Sequence, residues 1–418
     1  MLKRLSSTSH VVALSSILAF ATQVAFALLM LRLFTPQEVG EFSVISQIGF
    51  FWMTLALAQA PLGLLANQHQ PAHVAAQHAW RASALRGVGL LPVAALAVWF
   101  SQLSMWPALL WALLLAFCQM GWMLAQSFTL RVGSAWQQAA VRVLPPVTAA
   151  ASALTAALLG ASVGWSGPTL VLSALLGYAV GAVWLVPALH AANDNNQSPH
   201  TATSLQPDSA AATSTASHTQ LDPRGATLRM AHTLVDALLA TAIIVVWQRF
   251  YGAEETGWMS ALLRVLGFLP AVVHMAWAQV ALAQGHAANS RTTGMANPWW
   301  LGLGAFACVI VLGLSCAVAL YQEWLDHRWS GVWAYIAPLV LWQGSACLSA
   351  AFSHRPFQTQ SAHAYSWACM ALGALQAAVL LAPISLAQPV DAAQHMAAFA
   401  LVSSLGLLGL TVWMARLR

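Results

Sequence analysis

Asp236 and Arg264 are the two charged residues that fall well inside long apolar runs of this 418-residue chain. A charge at the centre of a bilayer costs about 2.5–3.5 kcal/mol on insertion scales, so a retained one is a functional candidate by default. Asp236 lies about eight residues into the run 228–248, roughly 12 Å deep at a rise of about 1.5 Å per residue. Arg264 lies about seven residues into the run 257–283 from the opposite side, roughly 11 Å deep. In an apolar core of about 30 Å, the two levels then differ by about 7 Å. The planar fork of Arg264 matches phosphate oxygens, so a diphosphate is the cargo it would attract. Asp236 would orient that group or take up a coupling proton. An interhelical ion pair, or an arginine reaching back to the interface, explains the same residues without any cargo.

Other residues offer weaker chemistry. Arg142 opens the run 141–160 near Arg131 and would collect an anionic headgroup, or simply anchor the span. Gln23 and Gln47 place amides in the first two apolar runs, where they would line a cavity or bond between helices. His274 lies near the middle of the run 257–283, as a titrating group or a hydrogen-bonded neutral one. His69 and His73 are four apart, but Pro71 between them breaks the helix that a metal pair would need, and His78 adds no acid or thiol. The five cysteines, Cys118, Cys308, Cys316, Cys347 and Cys369, form no CxxC and no zinc spacing. No metal site, no Walker A loop and no ordered Ser/His/Asp set is found, so the chain reads as a non-enzyme.

The elements that must hold these residues are membrane helices. Hydrophobic residues make up 59% of the chain and charged ones 6%, with a mean hydropathy of +0.69, whereas a soluble domain is about one quarter charged. Apolar runs recur at 11–31, 43–65, 84–101, 105–125, 141–160, 168–190, 228–248, 257–283, 299–321, 331–353, 364–386 and 394–415. Each is long enough to span. The first exceeds a signal-peptide core, so it reads as a span and not as a cleaved leader.

The 16 Lys and Arg residues test this count. With the N-terminus inside, twelve fall on inner segments: Lys3, Arg4, Arg81, Arg86, Arg131, Arg142, Arg224, Arg229, Arg291, Arg355, Arg416 and Arg418. Three, Arg32, Arg249 and Arg328, fall outside, and Arg264 lies within a span. Losing one span would scramble that bias, so twelve spans and cytoplasmic termini support each other. Nucleic acid is excluded as a partner, because the basic residues do not cluster. Residues 192–223 are rich in Ser, Thr, Asn, Ala and Pro and read as a flexible linker. The predicted organisation is 1–190, six spans; 191–226, cytoplasmic linker; and 227–418, six spans. Trp299, Trp300, Trp324, Trp329 and Trp333 read as an interfacial belt.

The two halves repeat. The first predicted outer loop, 32–40, reads RLFTPQEVG, and the seventh-to-eighth loop, 249–257, reads RFYGAEETG. At an offset of 217, Arg32 matches Arg249, Glu38 matches Glu255, Gly40 matches Gly257, Ser43 matches Ser260 and Phe51 matches Phe268. Gln47 corresponds to Arg264. Six intervening spans give both copies one orientation, a parallel repeat that suits two bundles rocking about a central cavity.

Residues 32–42, RLFTPQEVGEF, and 261–270, ALLRVLGFLP, resemble the polysaccharide (O-antigen type) flippase branch of the multidrug/oligosaccharidyl-lipid/polysaccharide exporter superfamily. Its members commonly open with an arginine, an apolar pair, a Pro-Glu-like turn, then Gly and an aromatic residue; here Gln37 separates the proline from the acid. The resemblance implies an all-α integral membrane fold of two six-helix lobes around a central cavity. It implies translocation of an undecaprenyl-diphosphate-linked oligosaccharide from the cytoplasmic to the periplasmic leaflet of a bacterial inner membrane. On that reading the partners are the lipid-linked oligosaccharide, membrane lipids, and the polysaccharide polymerase and glycosyltransferases of the pathway. No cofactor is expected beyond a coupling H+ or Na+. The alternatives are a cation-coupled multidrug or small-solute exporter, a membrane-embedded polymerase or ligase, and a structural scaffold. A drug exporter would favour carboxylates in the spans, where only Asp236 falls, and a polymerase would need a large outer loop, which is not seen.

Overall fold

The computed structural model describes residues 2–58, 60–66, 70–163, 168–195, 223–274, 297–359, 361–385 and 390–417. Among them every regular element is a helix, the outcome expected where lipid offers the backbone no hydrogen bonds. In chain order the α-helices are α1 (Leu2–Leu33), α2 (Pro36–Leu57), α3 (Ala60–Ala66), α4 (Ala72–Gly89), α5 (Leu91–Ser101), α6 (Met105–Val132), α7 (Ala135–Val163), α8 (Thr169–Ala182) and α9 (Val186–Asn195). There follow α10 (Pro223–Leu266), α11 (Phe268–Val272), α12 (Pro298–Tyr321), α13 (Trp333–Phe352), α14 (Arg355–Gln358), α15 (Ala362–Ser385) and α16 (Ala392–Arg416).

Nine of the described helices are long and apolar enough to cross a membrane. One of them, Leu234–Val272, covers parts of two predicted spans, 228–248 and 257–283. The bent pair α4 and α5 adds another, and the apolar end of α1, Ala21–Leu33, completes the set. The protein is therefore a multi-pass, helical membrane protein, and each of the twelve predicted runs coincides at least in part with a described helix.

Several predicted boundaries are corrected. The loop 32–40 is almost entirely helical, because Thr35 and Glu38 form a capping box and Pro36 opens α2. Thr35 N–H donates to Glu38 Oε2 at 2.8 Å, and the Thr35 hydroxyl accepts from Glu38 N–H at 3.3 Å. The loop 249–257 is likewise helical and broken only at Gly252, whose φ of 83° and ψ of −179° divide α10. At the repeat offset Gly252 stands where Thr35 does, so both halves turn at the same position. The second span ends at Leu57, not 65, with Ala58 at φ 47° before the short α3. The third begins at Ala72, and its two pieces meet at 48°, where Pro92 removes a backbone donor. Trp329 is fully buried and belongs to the core, not to the interfacial belt. The middle of the predicted linker, 196–222, lies outside the described residues, as do His69, Arg291 and 275–283 of the eighth predicted span.

The tightest seam joins α2 to the second part of α10. A Cβ on Gly40 would fall 1.9 Å from the Ala253 carbonyl oxygen, and one on Gly257 would fall 1.8 Å from that of Pro36. Two helices touch here by backbone, as small residues permit in membranes. One turn deeper, Ser260 Oγ donates to Ser43 Oγ at 2.8 Å. Gly40 with Gly257, and Ser43 with Ser260, are the residues paired by the sequence repeat. Matched residues that meet each other lie on a local twofold axis, which runs between α2 and α10 at this point.

Candidate functional site

Below that seam the symmetry breaks, and the break is Arg264. From Gly252 the helix runs twelve residues to Arg264, roughly 18 Å at about 1.5 Å per residue. Its guanidinium turns across the seam. One nitrogen donates to Ser43 Oγ at 3.2 Å and to Ser46 Oγ at 3.3 Å, and the carbon lies 4.6 Å from the centre of the Phe42 ring. All three partners sit on α2, and the Arg264 side chain reaches them from α10.

The guanidinium forms part of the wall of a cavity of about 260 Å³. Gln23, Ala27 and Met30 of α1, Trp122 of α6, Pro145 and Pro146 of α7 and Tyr178 of α8 form half of the rest. The adjacent prolines leave α7 helical, but each lacks an N–H, which weakens the ladder where the helix passes the cavity. Trp122 is fixed by donating its indole N–H to the Val141 carbonyl at 2.7 Å, and its ring lies 5.3 Å from that of Tyr178. The site is thus a mostly apolar chamber with three polar groups: the guanidinium, the Tyr178 hydroxyl and the Gln23 amide. Among the described residues Arg264 makes no ion pair. Its partners are two hydroxyls and a ring face, which leave its charge uncompensated and its remaining N–H groups available to an anion.

The other candidates fall elsewhere. Asp236 does not pair with Arg264. Its exposed carboxylate lies 3.0 Å from His232 Nε2, one helical turn away on α10. His232 packs edge-on against Tyr365 of α15. His274 is exposed and shares a hydrogen bond of 3.1 Å with Ser353 Oγ. Gln47 donates to Thr241 Oγ1 at 3.4 Å, bridging α2 to the first part of α10. Arg142 is half-buried and donates to the Gln138 carbonyl of its own helix at 3.1 Å. Of the six predicted residues, the structure brings only Arg264 and Gln23 to one cavity.

Sequence reasoning passed over Phe42, Ser43, Ser46, Trp122 and Tyr178 as site residues. A legible signal existed for one of them: Tyr178 is one of only five tyrosines and lies in the middle of an apolar run. The serines carried no such signal, since a lone serine in a membrane helix ordinarily bonds its own backbone.

No family model and no curated protein matches the sequence. Similar solved structures include an inward-facing multidrug resistance MATE family transporter of the MOP superfamily, at 11% identity over 97% of this chain and 93% of that chain, with a TM-score of 0.45. The MATE transporter ClbM in complex with Rb+ is similar at 13% identity over 100% and 94% of the two chains, with a TM-score of 0.39. A MATE protein in complex with MaL6 is similar at 12% identity over 98% and 92%, with a TM-score of 0.36.

Proposed function

We propose that the protein is an alternating-access carrier that moves an anionic lipid-linked oligosaccharide across the membrane. Arg264 is the observation that carries this reading: a cation within an apolar helix, on the wall of a cavity, with no ion pair among the described residues. A structural arginine there would be expected to have a carboxylate partner. One presenting its charge to a cavity at the seam of two repeat-related helices suits a cargo that brings its own negative charge. A diphosphate fits its fork. The polyprenyl tail would stay in lipid while the headgroup crosses beside α1 and α7. Cytoplasmic termini, an inner-membrane location and the two-lobe division at 191–226 belong to the same proposal, and they rest on the arginine distribution and the repeat.

A second reading is favoured by the His232–Asp236 pair. A protonatable group on the same helix as Arg264 suits proton coupling, which a small-solute exporter would use. An isolated cation at the cavity wall counts against organic cations as its cargo.

The test is transport by the purified chain in proteoliposomes loaded with a fluorescent polyprenyl-diphosphate oligosaccharide, alongside vesicles carrying a fluorescent organic cation. The carrier reading expects protein-dependent exposure of the labelled sugar and no cation efflux. Efflux of the cation without sugar exposure would sink it.

A further inference from the structure

A second cavity, of about 580 Å³, lies at the end of the bundle where α2 begins. Phe42, whose ring carries Arg264 on one face, lines both cavities and separates them. The second is within the roughly 300–1,000 Å³ range of small-molecule sites. Its polar wall takes Glu38 and Glu41 from the first turns of α2, Ser104 from the start of α6, and Gln248 from the turn of α10 before Gly252. Trp111 of α6 adds an indole.

Gln248 is the observation that points to a ligand. It is 9% exposed, and its Oε1 has no hydrogen-bond partner among the described residues. A buried amide oxygen left unpaired is unfavourable and calls for an explanation. Two further groups have capacity to spare. Ser104 is the N-cap of α6, yet its side chain bonds none of the helix's first N–H groups. Glu41 accepts from Gln37 through Oε1 at 3.2 Å, which leaves its second oxygen for another donor.

We propose that this cavity binds neutral sugar units, with a ring lying on Trp111 and hydroxyls bonded to Gln248, Glu41 and Ser104. A sugar hydroxyl both donates and accepts, and the wall offers both: carboxylate and amide oxygens accept, while the serine hydroxyl and the amide N–H groups donate. An indole supplies the flat apolar surface that the C–H face of a pyranose covers. An acidic sugar would meet two carboxylates, and a simple cation would leave the donors unused. The site's place in a transport cycle rests on the carrier reading, with sugars above Phe42 and the diphosphate at Arg264 below it; the binding itself does not.

The experiment is saturation-transfer NMR on the full purified chain in nanodiscs, with maltotriose and tri-N-acetylchitotriose as neutral probes. Trigalacturonate and tetramethylammonium are the charged comparators. At least one neutral trisaccharide should receive saturation, and neither comparator should. Gln248→Leu removes the unpaired acceptor, so it should melt no lower than wild type while losing at least about fivefold in the neutral signal, the scale of one lost hydrogen bond. Glu41→Gln should lose less, since an amide oxygen still accepts. No neutral signal from folded wild type, a stronger signal from either comparator, or an unchanged signal in Gln248→Leu would overturn the assignment. Sugar binding without lipid transport would leave the site standing and remove the carrier reading; transport with no sugar binding would do the reverse.

Discussion

Arg264 is held by two serine hydroxyls and a phenyl face, a set that fixes the guanidinium without neutralising it. Hydrogen bonds to a charged group are worth about 1.5–3 kcal/mol each, so losing those made to a cargo should slow transport by roughly ten- to a hundredfold. Arg264→Lys keeps the charge but not the fork. It should retain more activity than Arg264→Gln, a ranking read from initial transport rates at equal reconstituted protein. A purely structural arginine would give both variants the same defect, visible as a lower melting temperature. At the membrane edge, Asp326 shows a charge with no such role. The side chain of Arg328, then its backbone N–H, bonds the Asp326 carboxylate and holds its pKa at about 2. A lowered carboxylate pKa stabilises the fold above the ordinary value near 3.8 and loses that effect only as pH falls towards about 2. Asp326→Asn should therefore leave melting curves unchanged in shape between pH 5 and 8, apart from a small constant offset, since the carboxylate is only partly buried.

At the scale of the element, α2 and α10 carry the account. Gly252 adopts a conformation essentially restricted to glycine, and a Cβ there would meet nothing within 4 Å. Gly252→Ala therefore tests backbone strain alone, and should lower stability by about 1–3 kcal/mol in a reversible unfolding titration. Gly40→Ala tests the opposite case, a permitted backbone with no room. It should destabilise by more than Gly63→Ala or Gly409→Ala, whose added methyl groups meet open space. The repeat at offset 217 was legible from Gly40, Gly257, Ser43 and Ser260 because small residues at matched positions survive as letters. That these residues touch was not legible, since a repeat states equivalence and not contact. The helical character of 32–40 was hidden because the stretch is polar and lies between apolar runs. The capping pair Thr35 and Glu38 was there to be read.

For the whole molecule, scarcity of charge made the membrane assignment and the approximate span count readable, since each of the twelve apolar runs coincides at least in part with a described helix. The cavity was not readable, because its wall is mostly alanine, methionine, proline and aromatic residues drawn from six separate stretches of chain. Only the fold decides that Tyr178 and Arg264 share a chamber while Asp236, on the same helix as Arg264, does not. The central claim is that this chamber carries the anionic headgroup past Arg264. The most direct measurement is the rate of sugar exposure in proteoliposomes containing the labelled polyprenyl-diphosphate oligosaccharide, for wild type and for Arg264→Ala matched in melting temperature. The account predicts transport by wild type and a fall of at least about tenfold in the variant. Equal rates in the two proteins would contradict it.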